Sequence, residues 1–242
     1  MDQQRAIQAI DTFLHDRLKD TGDSGFEGLI AILAQQATGQ EFRLSTSGRQ
    51  SGRDAASESG YANSIKIEAK HYRKKTALKL RELNAEIDEA TESDPNLDIW
   101  ILAASRFVGE QISNSLDKHA ESLGVDVVLL DLGVNGLPRV AVLMAAFPTQ
   151  VLEWANRHQL QRCPDELQPA LLTIARDADF ESTKNRLIAK LNSTVGYDSA
   201  RRRIHSRLLR TLSDHLNARS AFRQSLGIRA TEIGRASCRE RV

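Results

Sequence analysis

Apolar residues recur at helical spacing from the start of the chain: Ile7, Ile10, Phe13 and Leu14, then Phe26, Leu29, Ile30, Leu33 and Ala37 after a break from Thr21 to Gly25. The spacing predicts two opening helices. From Phe42 to Thr46 the pattern alternates, passes a Gly/Ser-rich turn from Ser47 to Gly52, and resumes near Asp54, which predicts a hairpin. Ile65, Ile67 and Ala69 then alternate with Lys66, Glu68 and Lys70, the signature of a half-buried strand with one polar face. Leu80, Leu83, Ile87 and Ala90 mark a helix, and Ile112, Leu116, Ala120 and Leu123 mark another that ends at Gly124.

The compact apolar runs from Leu97 to Ala104 and from Val125 to Leu132 suit strands buried on both faces, and Val140 to Ala145 is expected to add a last strand before Pro148. Strands alternating with helices imply an α/β fold. Beyond Pro148 the strand signal ends. Helical spacing takes over at Val151 to Ala155, Leu167 to Ala175, Leu187 to Leu191, and Ile204, Leu208, Leu212 and Leu216. The expected organisation is an α/β domain over 1–147, a helical linker or dimerisation module over 148–228, and a tail over 229–242 whose ending GRASCRERV resembles translated vector sequence.

Composition narrows this picture only a little. Of 242 residues 40% are hydrophobic and 27% charged, a globular balance, and 33 Lys and Arg nearly cancel 32 Asp and Glu. The longest apolar run, Val140 to Phe147, is far short of the roughly 20 residues that span a bilayer. No membrane partner is therefore expected, and with no secretory leader a cytoplasmic location is. Two cysteines, Cys163 and Cys238, and six scattered histidines make neither a disulfide framework nor a zinc site. Phosphate-loop, dinucleotide, zinc-protease and serine-hydrolase motifs are absent from the sequence.

The candidate chemistry lies on the strand from Ile65 to Lys70. Side chains two residues apart share a strand face, which places Glu68 and Lys70 about 6–7 Å apart on its polar side. Asp54, at the end of the preceding hairpin strand, can pair across to them. Two carboxylates and water form a hard oxygen site suited to Mg²⁺ or Mn²⁺. Each residue also has a plainer reading. Glu68 and Lys70 fit a solvated strand face, and Asp54 fits a residue closing a Gly-rich turn. Ser24-Gly25-Phe26-Glu27 is a capping box in which Glu27 would bond back to the Ser24 amide, so capping and a site role both stay open for Glu27.

Glu27, then Gly52-Arg53-Asp54, then Ile67-Glu68-Ala69-Lys70, in the order helix, hairpin, strand, resemble the PD-(D/E)xK nuclease superfamily. The Mrr-like type and related anti-phage effector nucleases are similar in placing the acid after a Gly-x step. They also follow ExK with aromatic and basic residues, here His71-Tyr72-Arg73. The family proline is replaced by Arg53. The resemblance spans Thr21 to Leu132. It implies a restriction-endonuclease-like core with a mixed central sheet flanked by helices, and metal-dependent hydrolysis of double-stranded DNA. Asp54, Glu68 and the Ala69 carbonyl would be metal ligands, Lys70 would orient or help deprotonate the attacking water, and Glu27 would complete the catalytic set. It also implies the N-terminal effector of a bacterial defence or restriction protein, with a sensor or NTPase region C-terminal to it and a homo-oligomer left open.

Charge distribution points toward the same partner. Between Phe42 and Arg81 there are ten basic residues and three acidic ones, of which two are Asp54 and Glu68. Arg53, His71, Tyr72, Arg73, Lys74, Lys75 and Lys79 are the candidate DNA contacts, by the logic of a phosphate-backbone footprint. A second cluster, Arg201, Arg202, Arg203, Arg207, Arg210, Arg219 and Arg223, accompanies the last apolar stripe and suits either DNA or a partner. The competing readings are an inactive DNA-binding or assembly module of the same fold, and a helical interaction protein with an α/β cap.

Overall fold

The computed structural model describes residues 1–18, 21–45, 53–58, 63–71, 77–133, 136–160, 164–193, 208, 211–213 and 215–218. Its elements are α1 (Gln3–Arg17), α2 (Phe26–Thr38), β1 (Phe42–Leu44), β2 (Ala55–Ser57), β3 (Ser64–Lys70), α3 (Leu80–Ser93), β4 (Leu97–Ala104), α4 (Glu110–Leu123), β5 (Asp126–Leu130), α5 (Arg139–Ala146), α6 (Pro148–Arg157), α7 (Pro164–Ala175) and α8 (Phe180–Leu191). The five strands form one mixed sheet in the order β1-β2-β3-β4-β5. The β1–β2 and β2–β3 pairs are antiparallel, and the β3–β4 and β4–β5 pairs are parallel. A parallel step needs a crossover. Helices α3 and α4 supply the two crossovers and lie on one face of the sheet.

That face carries Trp100, Leu102 and Ala104 of β4 and Val127 and Leu129 of β5, packed against Leu83, Ile87 and Ala90 of α3 and Leu116 and Ala120 of α4. The opposite face carries Ile65, Ile67, Ala69, Ile99, Ile101, Ala103, Val128 and Leu130. They join one larger core with α1, α2, α5 and the helices after Pro148. Side chains reinforce those packings: the Trp154 indole donates to the Asp23 carbonyl at 3.1 Å, and Asn192 Nδ2 donates to the Ala37 carbonyl at 2.9 Å. The α/β class is as expected, and the β1–β2 hairpin lies where alternation placed it. Its turn, 46–52, is outside the described residues. Gly124 ends α4 in the left-handed region at φ 75°, its N–H donating to the Ala120 and Glu121 carbonyls.

Two expectations are corrected. Val140 to Ala145 is not a strand but the body of α5, entered from Pro138. All six of these residues are buried, and an element buried on every side loses the periodicity that separates helix from strand. β3 is not half-buried either. Its polar side lies under α3, so Lys66 and Glu68 are 1% and 5% exposed. Among the described residues no helix is long and apolar enough to cross a membrane.

Candidate active site

The β2–β3 register pairs Ala55 with Ile67, and continuing it sets Asp54 across from Glu68. The Asp54 amide donates to the Ile67 carbonyl at 2.7 Å, while Asp54 Oδ2 accepts from the Ala69 amide at 2.7 Å. The aspartate is thus tied at backbone and side chain to the strand that carries Glu68 and Lys70. Lys70 Nζ donates to Glu68 Oε1 at 2.5 Å and to Glu86 Oε1 of α3 at 2.6 Å. Asp54 and Glu68 are both 5% exposed.

Glu27 completes the group from the first turn of α2. It is buried, and its Oε2 accepts from the Gly22 amide at 2.8 Å. The capping-box reading is therefore corrected: α2 starts from Gly25 without a side-chain cap, and Glu27 reaches past Ser24 to Gly22. The loop before α2 folds so tightly over it that a Cβ on Gly28 would lie 2.0 Å from the Asp23 carbonyl oxygen. Only glycine fits there.

The cluster gathers four carboxylates around one ammonium, and its proton affinities follow from that. Burial, then the charge of Asp54, pushes Glu68 up to about 8, against the pull of Lys70. Burial also raises Asp54, opposed by the Ala69 amide and by Lys70. Glu86 is raised by burial, against its bond to Lys70. Burial raises Glu27 too, and the charges of Asp54 and Lys70 act on it in opposite directions. For Lys70 burial works downward, but Glu68 and Glu86 outweigh it and hold the ammonium charged well above its ordinary range.

Negative charge removed from water in one place favours a cation or a proton. Among the described residues no three His, Cys, Asp or Glu side chains form a metal-holding group. The donor set still fits Mg²⁺ or Mn²⁺, because Mg²⁺ keeps most of its waters and needs only one or two protein carboxylates beside substrate phosphate. Asp54 and Glu68 supply two.

The expected DNA contacts divide differently. Arg53 is half-buried beside Asp54, and its charge acts on Lys66. Lys79 donates to Glu82 at 2.7 Å. His71 turns inward: its Nε2 donates to the Leu14 carbonyl at 2.8 Å, and its ring lies 5.6 Å from that of Phe26 and 5.8 Å from that of His15. Tyr72, Arg73, Lys74 and Lys75 lie outside the described residues, as do the seven arginines from Arg201 to Arg223.

Glu86 is not among the residues that the sequence pattern singles out. Its signal was position, since Glu86 flanks the Leu83, Ile87 and Ala90 stripe that α3 buries.

Compared with protein-family models, curated proteins and solved structures, the chain finds no match in any of the three.

Proposed function

We propose that this protein is a divalent-metal-dependent endonuclease that hydrolyses phosphodiester bonds in double-stranded DNA. One observation carries the reading: Asp54 from the hairpin and Glu68 and Lys70 from β3 are brought together by the Asp54–Ala69 and Lys70–Glu68 hydrogen bonds. The mixed sheet supports a restriction-endonuclease-like core, with two antiparallel pairings followed by two parallel ones and the acidic residues at the switch between them.

Asp54 and Glu68 would hold the cation, with the Ala69 carbonyl as a third oxygen. Bound there, Mg²⁺ or Mn²⁺ supplies charge neutralisation at the scissile phosphate and acidifies the attacking water. Lys70 stays protonated at neutral pH because two carboxylates hold it, so it can stabilise charge that grows on the phosphoryl oxygens. With its carboxyl pushed up to about 8, Glu68 is mostly protonated near pH 7 and would give the proton up on taking a cation. Asp54 keeps its aim through the Ala69 amide.

The test is supercoiled plasmid incubated with the purified protein. Mg²⁺ should give nicked and linear products and EDTA should stop their formation, whereas cleavage that survives exhaustive chelation would overturn the metal assignment. Glu68→Gln should lower the rate on the order of 100-fold or more.

A further inference from the structure

We propose that Glu86 is the positioning residue for Lys70: its carboxylate, carried by α3, anchors the Lys70 ammonium at the site independently of Glu68. The inference rests on the hydrolytic reading of Asp54, Glu68 and Lys70.

A lysine has a flexible four-carbon stem, and one acceptor leaves its ammonium free to swing. Here two acceptors hold it, and they come from different elements. Glu68 lies two residues back on the same strand and is also the carboxylate proposed to meet the cation. Glu86 has neither constraint. It approaches from α3, and α3 is itself fixed to the sheet. Leu83, Ile87 and Ala90 are buried against β4, and at the far end of the helix Lys66 Nζ donates to Ser93 Oγ at 2.6 Å and to the Ala90 carbonyl. Lys66 and Lys70 share one face of β3, and their partners follow in reverse order along α3. The helix therefore runs antiparallel to the strand, tied to it at its middle and at its C-terminal end.

The second oxygen of Glu86 supports a role beyond packing. Glu86 Oε2 is buried and has no hydrogen-bond partner among the described residues. Buried polar atoms are normally matched, and an apolar residue of similar size would fill such a position at no greater cost. What an apolar residue could not do is accept a hydrogen bond from Lys70.

The experiment compares Glu86→Ala and Glu86→Gln with the parent, using three readouts. In metal-free protein, acetylation of Lys70 followed by mass spectrometry should be about tenfold faster in Glu86→Ala, the effect of losing one charge-assisted hydrogen bond. Glu86→Gln keeps an oxygen acceptor and should return labelling close to the parent rate. In plasmid cleavage, Glu86→Ala should lower kcat about tenfold or more with KM for DNA unchanged, and Gln should restore most of it. Mn²⁺ binding followed by electron paramagnetic resonance should be the same in all three.

Unchanged Lys70 labelling in Glu86→Ala would overturn the inference, as would a loss of Mn²⁺ binding as large as that of Glu68→Gln, which would make Glu86 a ligand. A parent protein that leaves plasmid intact while Lys70 labelling responds as described would sink the hydrolytic reading and leave the anchor in place.

Discussion

The Ala69 amide donates to Asp54 Oδ2 at 2.7 Å, across the junction where the β1–β2 hairpin meets β3. Through this bond the position of one carboxylate depends on the backbone of the strand that bears the other. Because Asp54 and Glu68 are both buried, substitutions here act on stability as well as chemistry. Glu68→Gln imitates the protonated carboxyl and removes a charge that Asp54 repels. It should abolish cleavage while leaving thermal stability at pH 9 equal to or above the parent's. Each kcal/mol gained would appear as about 2–4 °C in Tm. A clear loss of Tm would mean that ionised Glu68 holds the fold together.

Stability should pass through a minimum near pH 8. Glu68 rises from its ordinary 4.5 to about 8, so the native chain holds a proton that the unfolded chain has lost. That contribution is complete below pH 4.5 and disappears as pH rises through about 8. Lys66 falls from 10.5 to about 8 through burial, so between those values the unfolded chain holds the extra proton, and stability returns as pH climbs. The upper limb corresponds to about 3 kcal/mol. Chemical denaturation from pH 5 to 10.5 checks the profile, and Lys66→Met should flatten its alkaline side.

Cation affinity should follow the same proton. With Glu68 at about 8, Mn²⁺ binding should tighten by up to about tenfold per pH unit below that value and level off above it. Calorimetric titration from pH 6 to 9 reads this directly. An affinity that stays flat over the range would remove Glu68 from the ligand set.

Gly28→Ala should destabilise the protein by about 1–3 kcal/mol or more, because the new methyl would meet the Asp23 carbonyl carbon at 2.5 Å and its oxygen at 2.0 Å. The same change displaces the loop that supplies the Gly22 amide to Glu27. Urea unfolding gives the first effect, and the plasmid assay at a temperature where the variant is folded gives the second.

Binding should separate from catalysis. Neutralising Arg73, Lys74, Lys75 and Lys79 together should weaken DNA binding whatever the sequence, making the logarithmic salt dependence shallower by about 0.9 for each phosphate that no longer meets a cationic side chain. Lys79 pairs with Glu82, so a phosphate would have to displace that carboxylate to meet it. Identical salt slopes for parent and variant would move the DNA path away from this stretch.

The positions of Ile65, Ile67 and Ala69, the crossover helix ending at Gly124 and the pairing of Asp54 with the Glu68 strand were all legible in the sequence. Alternation, helical spacing and glycine preferences are local, and each follows from a few neighbouring residues. Three things were decided only in three dimensions. Val140 to Ala145 became a helix because surrounding layers bury every side of it, erasing the period that would have revealed it. Lys66 and Glu68 left water because α3 covers their face of β3, a fact that strand alternation cannot contain. Glu86 joined Lys70 across sixteen positions of chain, through a crossover whose landing point depends on how Leu83, Ile87 and Ala90 pack against β4. Local patterns set which residues share a face. Which faces then meet, and so which charges are taken out of water together, depends on packing between elements distant in the chain.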